Sequence, residues 1–242
     1  MALANNQFND LVDDLKSSHG ANLVSVILYG SAANGDYVSA SSDYNLLIAL
    51  KQIRPKDLRA AQAPMREWNR MGNPLPVYFT VSELQSATDV FPIEFNQMSK
   101  ARKVLYGEDL LANLKISNDF LRHQTEYELR SKLIQLRRLY IPASVSTERL
   151  LDLMGDSLVS FSTLFRAVLL LHGIEPALAK RDVIQMMAKH LKIDSAPFEK
   201  IFEIREKKAG KSFDEASASR LFSDYLEQIE SVIEAVDRLE KS

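Results

Sequence analysis

The chain has 242 residues, with 30 basic and 32 acidic side chains and a formal net charge of −2, a length that suits one large domain or two small ones. It contains no cysteine, which excludes disulfides, thiolate zinc sites, iron–sulfur clusters and a cysteine nucleophile. Basic and acidic side chains number 10 and 10 up to Gly107, then 20 and 22 after it; neither half is a polycation, so a long nucleic acid is not an expected partner.

The first ten residues lack the basic and apolar regions of a secretory signal. Phe8, Leu11, Val12 and Leu15 recur at i, i+3, i+4 and i+7, so an amphipathic helix is expected first. Residues 23–29 are a β-branched run ending at Gly30, and 44–50 are a second such run; both predict strands. Pro55 suits the first turn of a helix running to about Arg70. A third strand is predicted at 77–81 and a short fourth at 103–106, before Gly107. Beyond Gly107 the strand pattern gives way to helical periods at 120–140, 148–172, 181–191, 196–208 and 213–239. Breaks are expected at Pro142, Gly173 with Pro176, Pro197 and Gly210, and the joint 108–118 is expected to be helical. Ser212-Phe213-Asp214-Glu215 has the capping-box pattern that starts a helix. Of the eight glycines, five precede residue 108, which agrees with a change of architecture there. The expected fold is therefore α+β: a mixed-sheet domain over 1–107, then an antiparallel helical bundle over 108–242. The longest apolar run, Ala167 to Leu171, is far short of the ~20 residues that cross a bilayer. The chain reads as cytoplasmic, with no membrane partner.

Chemistry concentrates in Tyr29-Gly30-Ser31 and, after a spacer, Asp43-Tyr44-Asn45-Leu46. Gly30 lets a phosphate approach the backbone with no Cβ in the way. Ser31 offers a hydroxyl and an amide at the start of a turn, where unpaired N–H groups favour anions. Residues 43 and 45 project from one face of a strand, and two oxygen-bearing side chains so placed can share a hard cation such as Mg²⁺.

These residues resemble the nucleotidyltransferase superfamily of DNA polymerase beta and kanamycin nucleotidyltransferase. Its pattern is hydrophobic-Gly-Ser, about ten residues, then Asp-hydrophobic-Asp-hydrophobic. The similarity covers roughly 23–50 closely and extends loosely to 107, through Phe91-Pro92-Ile93-Glu94 and Leu105-Tyr106-Gly107-Glu108-Asp109. The resemblance implies a sheet domain that carries nucleotide and Mg²⁺, and a bundle that shapes the cleft for an acceptor. The implied reaction passes a nucleoside monophosphate from a nucleoside triphosphate to a hydroxyl or phosphate of a small-molecule or protein acceptor. Gly30 and Ser31 would hold the nucleotide, Asp43 the metal, and Asp43 with Asn45 the catalytic position. The second family carboxylate is Asn45 here, and the third belongs on the 77–81 strand, which contains no acid. One carboxylate of three implies weak Mg²⁺ binding, mostly through the nucleotide's own phosphates, and weak or lost transfer. Glu83 or Glu94 would have to fold back to supply the third acid. The alternative is a non-catalytic nucleotide-binding or regulatory protein that acts through its helical domain on a protein partner.

Arg166 and His172 show the Arg-x5-His spacing that resembles the signature of HEPN ribonucleases. Six residues on one helix place them about 240° apart, so a basic cap at a helix C-terminus is the favoured reading. His19, His123 and His190 are too scattered to suggest a metal cluster. Glu126 and Glu128, with Lys132, Arg137, Arg138 and residues 205–208, read as a charged solvated face. An apolar helix face left exposed on the bundle would indicate a homodimer.

Overall fold

The computed structural model describes residues 5–34, 44–177, 179–206 and 213–239. The chain separates into two compact units, 1–117 and 118–242.

In the first unit, strands β1 (Leu23–Tyr29) and β2 (Asn45–Leu50) are apolar at nearly every position, so neither face suits water. They accordingly occupy the centre of a four-stranded sheet of order β3-β2-β1-β4, where strands covered on both faces are expected. β1 pairs antiparallel with β2 and with β4 (Arg102–Gly107), while β2 pairs parallel with β3 (Val77–Thr80). On one face, Phe8, Leu11 and Leu15 of α1 (Asn5–His19) and Met65 and Trp68 of α3 (Gln62–Arg70) pack on Val26, Leu28, Leu46 and Ile48. The Trp68 indole donates to the Pro74 carbonyl at 2.8 Å, so its one polar atom is satisfied within the core. On the other face, Leu84 of α4 (Val81–Ser86) and Phe95 and Met98 of α5 (Pro92–Lys100) cover Ile27, Leu47 and Ala49.

Several local expectations are corrected. The helix from Pro55 divides at Ala61 into α2 (Pro55–Ala60) and α3, because Pro64 has no N–H to give the Ala60 carbonyl. The third strand stops at Thr80, whose hydroxyl accepts from the Glu83 amide while the Glu83 carboxylate accepts from the Thr80 amide. This capping box starts α4 at Val81, a residue that sequence alone assigns to the strand. The joint is not helical. Leu111 is buried on the sheet with Leu110, Leu114 and Ile116 beside it, which holds the segment after Gly107 to the first unit.

The second unit contains, among the described residues, α6 (Asn118–Ala143), α7 (Thr147–Leu171), α8 (Lys180–Leu191), α9 (Ala196–Arg205) and α10 (Glu215–Arg238). α6 runs through Pro142, since the proline removes one donor only and Ser144 resumes the ladder to Tyr140 at 2.8 Å. The last helix is capped by Asp214, which accepts from the Ser217 amide at 2.7 Å; Ser212 lies outside the described residues. By length and composition α7 is apolar enough to cross a membrane, contrary to the expectation from apolar run length. Its Leu150, Met154, Leu158, Phe161, Phe165 and Val168 are buried, and α6, α8, α9 and α10 all pack on it. That is the burial of a bundle's central helix.

Gly107 ends β4 at φ +77°, and a Cβ there would sit 1.9 Å from the Val24 carbonyl oxygen. Gly107→Ala combines left-handed strain with a backbone clash. It is expected to lower stability by about 3 kcal/mol or more in urea unfolding.

Candidate functional site

β1 ends at Tyr29, and Gly30 turns the chain with φ +84°, a conformation that favours glycine. Its amide donates to the Ala101 carbonyl at 2.8 Å and its carbonyl accepts from the Ala33 amide at 3.0 Å. The turn is thus anchored beside the start of β4, and a 3-10 turn over Ser31–Asn34 follows. Ionic support comes from Arg102, whose Nε donates to both carboxylate oxygens of Asp109 at 2.9 and 3.0 Å. This hydrogen bond, then the guanidinium charge, holds the Asp109 carboxyl below its usual range against the opposing effect of desolvation.

Asn45 opens β2 directly opposite Tyr29. Its side-chain nitrogen lies 3.6 Å from where a Cβ on Gly30 would be, so the amide stands against the glycine turn. Asp43 and Asp36 lie outside the described residues, and of Ser31 only the backbone is described. Asn45 shares its strand face with Leu47 and Ala49. The neighbours of those two residues on β3 are Val77 and Phe79, both packed in the same apolar cluster. The face therefore carries one neutral oxygen donor on β2 and hydrocarbon on β3. Glu83 is committed to the α4 cap, and Glu94 is exposed in the first turn of α5. Among the described residues no group of three or more His, Asp or Glu side chains is placed to hold a metal. The described donor set does not fit a two-metal centre.

A different constellation appears in the second unit. Lys180 is the first residue of α8, and the N-cap Ala179 has no side-chain acceptor to offer the helix amides. Desolvation, followed by the charges of Arg205 and Arg166, holds the Lys180 ammonium below the ordinary lysine range. Burial lowers Arg166 as well, partly offset by Glu175. The Arg205 stem lies across α7, with three carbons 3.8 to 3.9 Å from where a Cβ on Gly155 would be. Arg205 and Arg166 thus add positive charge to the N-terminal end of α8, whose first turn also carries Asp182. Sequence reasoning overlooked Lys180; its local trace is a Lys-Arg pair opening a helix, against the dipole.

Arg166 and His172 have different electrostatic partners. Arg166 interacts with Glu175 and Lys180, whereas the His172 ring meets His190 edge-on with centroids 4.6 Å apart. The His172 Nε2 is buried without a hydrogen-bond partner, and desolvation, then His190, lowers its basicity. Glu126 is clamped by Arg122 at 2.9 Å and Arg130 at 2.8 Å. The Arg130 hydrogen bond is the largest influence lowering its pKa, so the carboxylate is poorly suited to accept a proton. A cavity of about 220 Å³ lies between α6 and α7, with Lys132, Gln135, Asp156, Ser157 and Ser160 on its wall.

No family model matches the chain, and no curated protein matches it significantly by sequence. Its backbone is similar to the crystal structure of spectinomycin adenyltransferase AAD(9) from Enterococcus faecialis with ATP and spectinomycin. The TM-score is 0.56 over 99% of this chain and 100% of that chain, at 12% identity. The likeness is one of fold, and it bears out a nucleotidyltransferase-like α+β unit followed by a helical one.

Because folding depresses the Lys180 value from 10.5, it is the charged form that folding disfavours. That penalty is present at neutral pH and is relieved as pH rises through the depressed value. Lys180→Met is expected to raise the Tm of the ligand-free protein slightly at pH 7. Inorganic tripolyphosphate is expected to raise the Tm of the wild type but not of this variant, as read by calorimetric scans with and without the anion.

Proposed function

We propose that the chain binds a nucleoside triphosphate on a nucleotidyltransferase fold and that its transfer activity is weak or lost. The observation that carries this reading is Asn45 seated against the Gly30 turn, with Val77 and Phe79 filling the neighbouring strand face. Gly30 and Ser31 take a phosphate group, and Asp43 with Asn45 faces the Mg²⁺ that arrives on the nucleotide. With few protein anions to fix that ion, it is held mainly by the phosphates.

Where transfer survives, a nucleoside monophosphate passes to a hydroxyl or phosphate of the acceptor and pyrophosphate leaves. The cavity between α6 and α7 suits a small polar acceptor, since Lys132 and Asp156 offer both signs of charge beside Ser157 and Ser160. The cytoplasm is the compartment that supplies such a nucleotide. A second reading is a non-catalytic protein that acts through its helical unit on a protein partner, and the exposed apolar side chains along α6 favour it.

Calorimetric titration of ATP, GTP and CTP, with and without Mg²⁺, tests the nucleotide reading. At least one nucleotide is expected to bind, with a modest metal dependence; no binding under either condition overturns it. Asn45→Asp is expected to tighten Mg²⁺-nucleotide binding by roughly tenfold or more, the gain of one added charged partner. An unchanged affinity would mean that Asn45 is a structural amide of the Gly30 turn and no part of the metal position.

A further inference from the structure

The cavity of about 220 Å³ between α6 and α7 has a polar wall on each helix and an apolar floor. Lys132 and Gln135 stand three residues apart on α6, and Asp156 and Ser160 four apart on α7, spacings that keep each pair on one face of its helix. Leu136, Leu139, Leu153 and Phe161 supply the hydrocarbon. The α7 wall is fixed from behind. Ser157 donates its one proton to the Met154 carbonyl at 3.0 Å, so it accepts from the buried Tyr225 hydroxyl, also at 3.0 Å. Tyr225 in turn meets Phe161 edge-on, with ring centroids 6.4 Å apart. One lone pair is left on the Ser157 oxygen.

Charge decides what fits. The Lys132 ammonium and the Asp156 carboxylate line the same cavity, yet they make no ion pair with each other or with any other described residue. The Gln135 amide and the Ser160 hydroxyl likewise have no side-chain partner among the described residues. Glu128 and Asp152, one turn earlier on the two helices, are not part of the wall. A purely cationic ligand would meet Lys132 with like charge, and a purely anionic one would meet Asp156. A ligand that carries both charges meets each with its opposite. α6 offers donors, the ammonium and the amide N–H, to a carboxylate. α7 offers acceptors, the Asp156 carboxylate and the Ser157 and Ser160 oxygens, to an ammonium. The volume equals that of roughly seven waters at ~30 Å³ each and falls below the ~300 Å³ at which sites for drug-sized ligands begin. A nucleotide is therefore too large for it.

We propose that this cavity binds a small zwitterion with a hydrocarbon body, of the size and chemistry of an aliphatic amino acid. Its carboxylate lies toward Lys132 and Gln135, its ammonium toward Asp156 and Ser157, and its side chain on the leucines and Phe161. The cavity is the one assigned above to an acceptor, and the use of this ligand in transfer rests on that reading; its binding needs no nucleotide.

The test is calorimetric titration of the full chain, free of nucleotide, with three probes that share one hydrocarbon: leucine, isoamylamine and isocaproate. Leucine is expected to bind at least about tenfold more tightly than either singly charged analogue, the effect of one added charged hydrogen bond. Glycine, the zwitterion without the hydrocarbon, should bind at least about tenfold more weakly than leucine. Lys132→Met should bring leucine down to the affinity of the amine, and Asp156→Asn to that of the acid. Both variants should keep the wild-type Tm, since neither side chain has a partner to lose. Equal affinity for the three larger probes, no binding of leucine, or leucine binding that neither substitution changes overturns the proposal. A chain that binds leucine but no ATP refutes the nucleotide reading alone, and one that binds ATP but no leucine refutes this proposal alone.

Discussion

The antiparallel register that sets Tyr29 against Asn45 governs the first unit. Side chains alternate across the sheet, so a slip of one residue would turn Leu46, Ile48 and Leu50 to the wrong layer and Leu47 and Ala49 with them. Each fully buried leucine or isoleucine contributes about 1.5–3 kcal/mol, and residues 46–50 of β2 are all buried. No preference of one amide for one turn competes with that sum. Asn45 therefore stands beside Gly30 because the core places it there, and the site's geometry is inherited from packing. Gly107 acts on β1 from the side opposite β2. Its missing Cβ lets β4 run against Val24 and Ser25, where the Ser25 hydroxyl donates to the carbonyls of Tyr106 and Glu108 at 3.1 and 2.6 Å.

The elements that could be read from sequence are those whose local pattern and tertiary role agree. β1 and β2 are continuous apolar runs because both faces are covered, and α1 and α10 show a helical apolar stripe because one face is. Reading fails where a short-range device interrupts a pattern. The Thr80–Glu83 box converts a strand-like run into α4, and Pro64 divides one helical period into two helices. It also fails where the decision is made at a distance: the leucines after Gly107 look like a helix but are held as turns by their burial on the sheet. The candidate site divides in the same way. Gly30 and Asn45 belong to one local motif and are visible in it. Arg166, Lys180 and Arg205 come from three helices, and no spacing rule connects them before the bundle folds.

The two basic regions of the second unit differ in kind, and the difference lies in their partners. Arg130 and Arg137 each lie within ion-pair distance of a carboxylate on α10. Half-exposed pairs of that sort contribute little to stability either way. Lys180 is the opposite case: Arg205 and Arg166 act on it with like charge, and it stands at the positive end of α8. Like-charge repulsion and the helix dipole both disfavour its charge there, and an anion relieves them. A bound polyphosphate would thus act on the bundle's stability as well as occupy it, because a ligand that meets only the folded state shifts the folding equilibrium by its binding free energy. In the first unit the argument runs the other way. On its described strand face Asn45 is accompanied by Leu47, Ala49, Val77 and Phe79, side chains that give a metal ion nothing to bind.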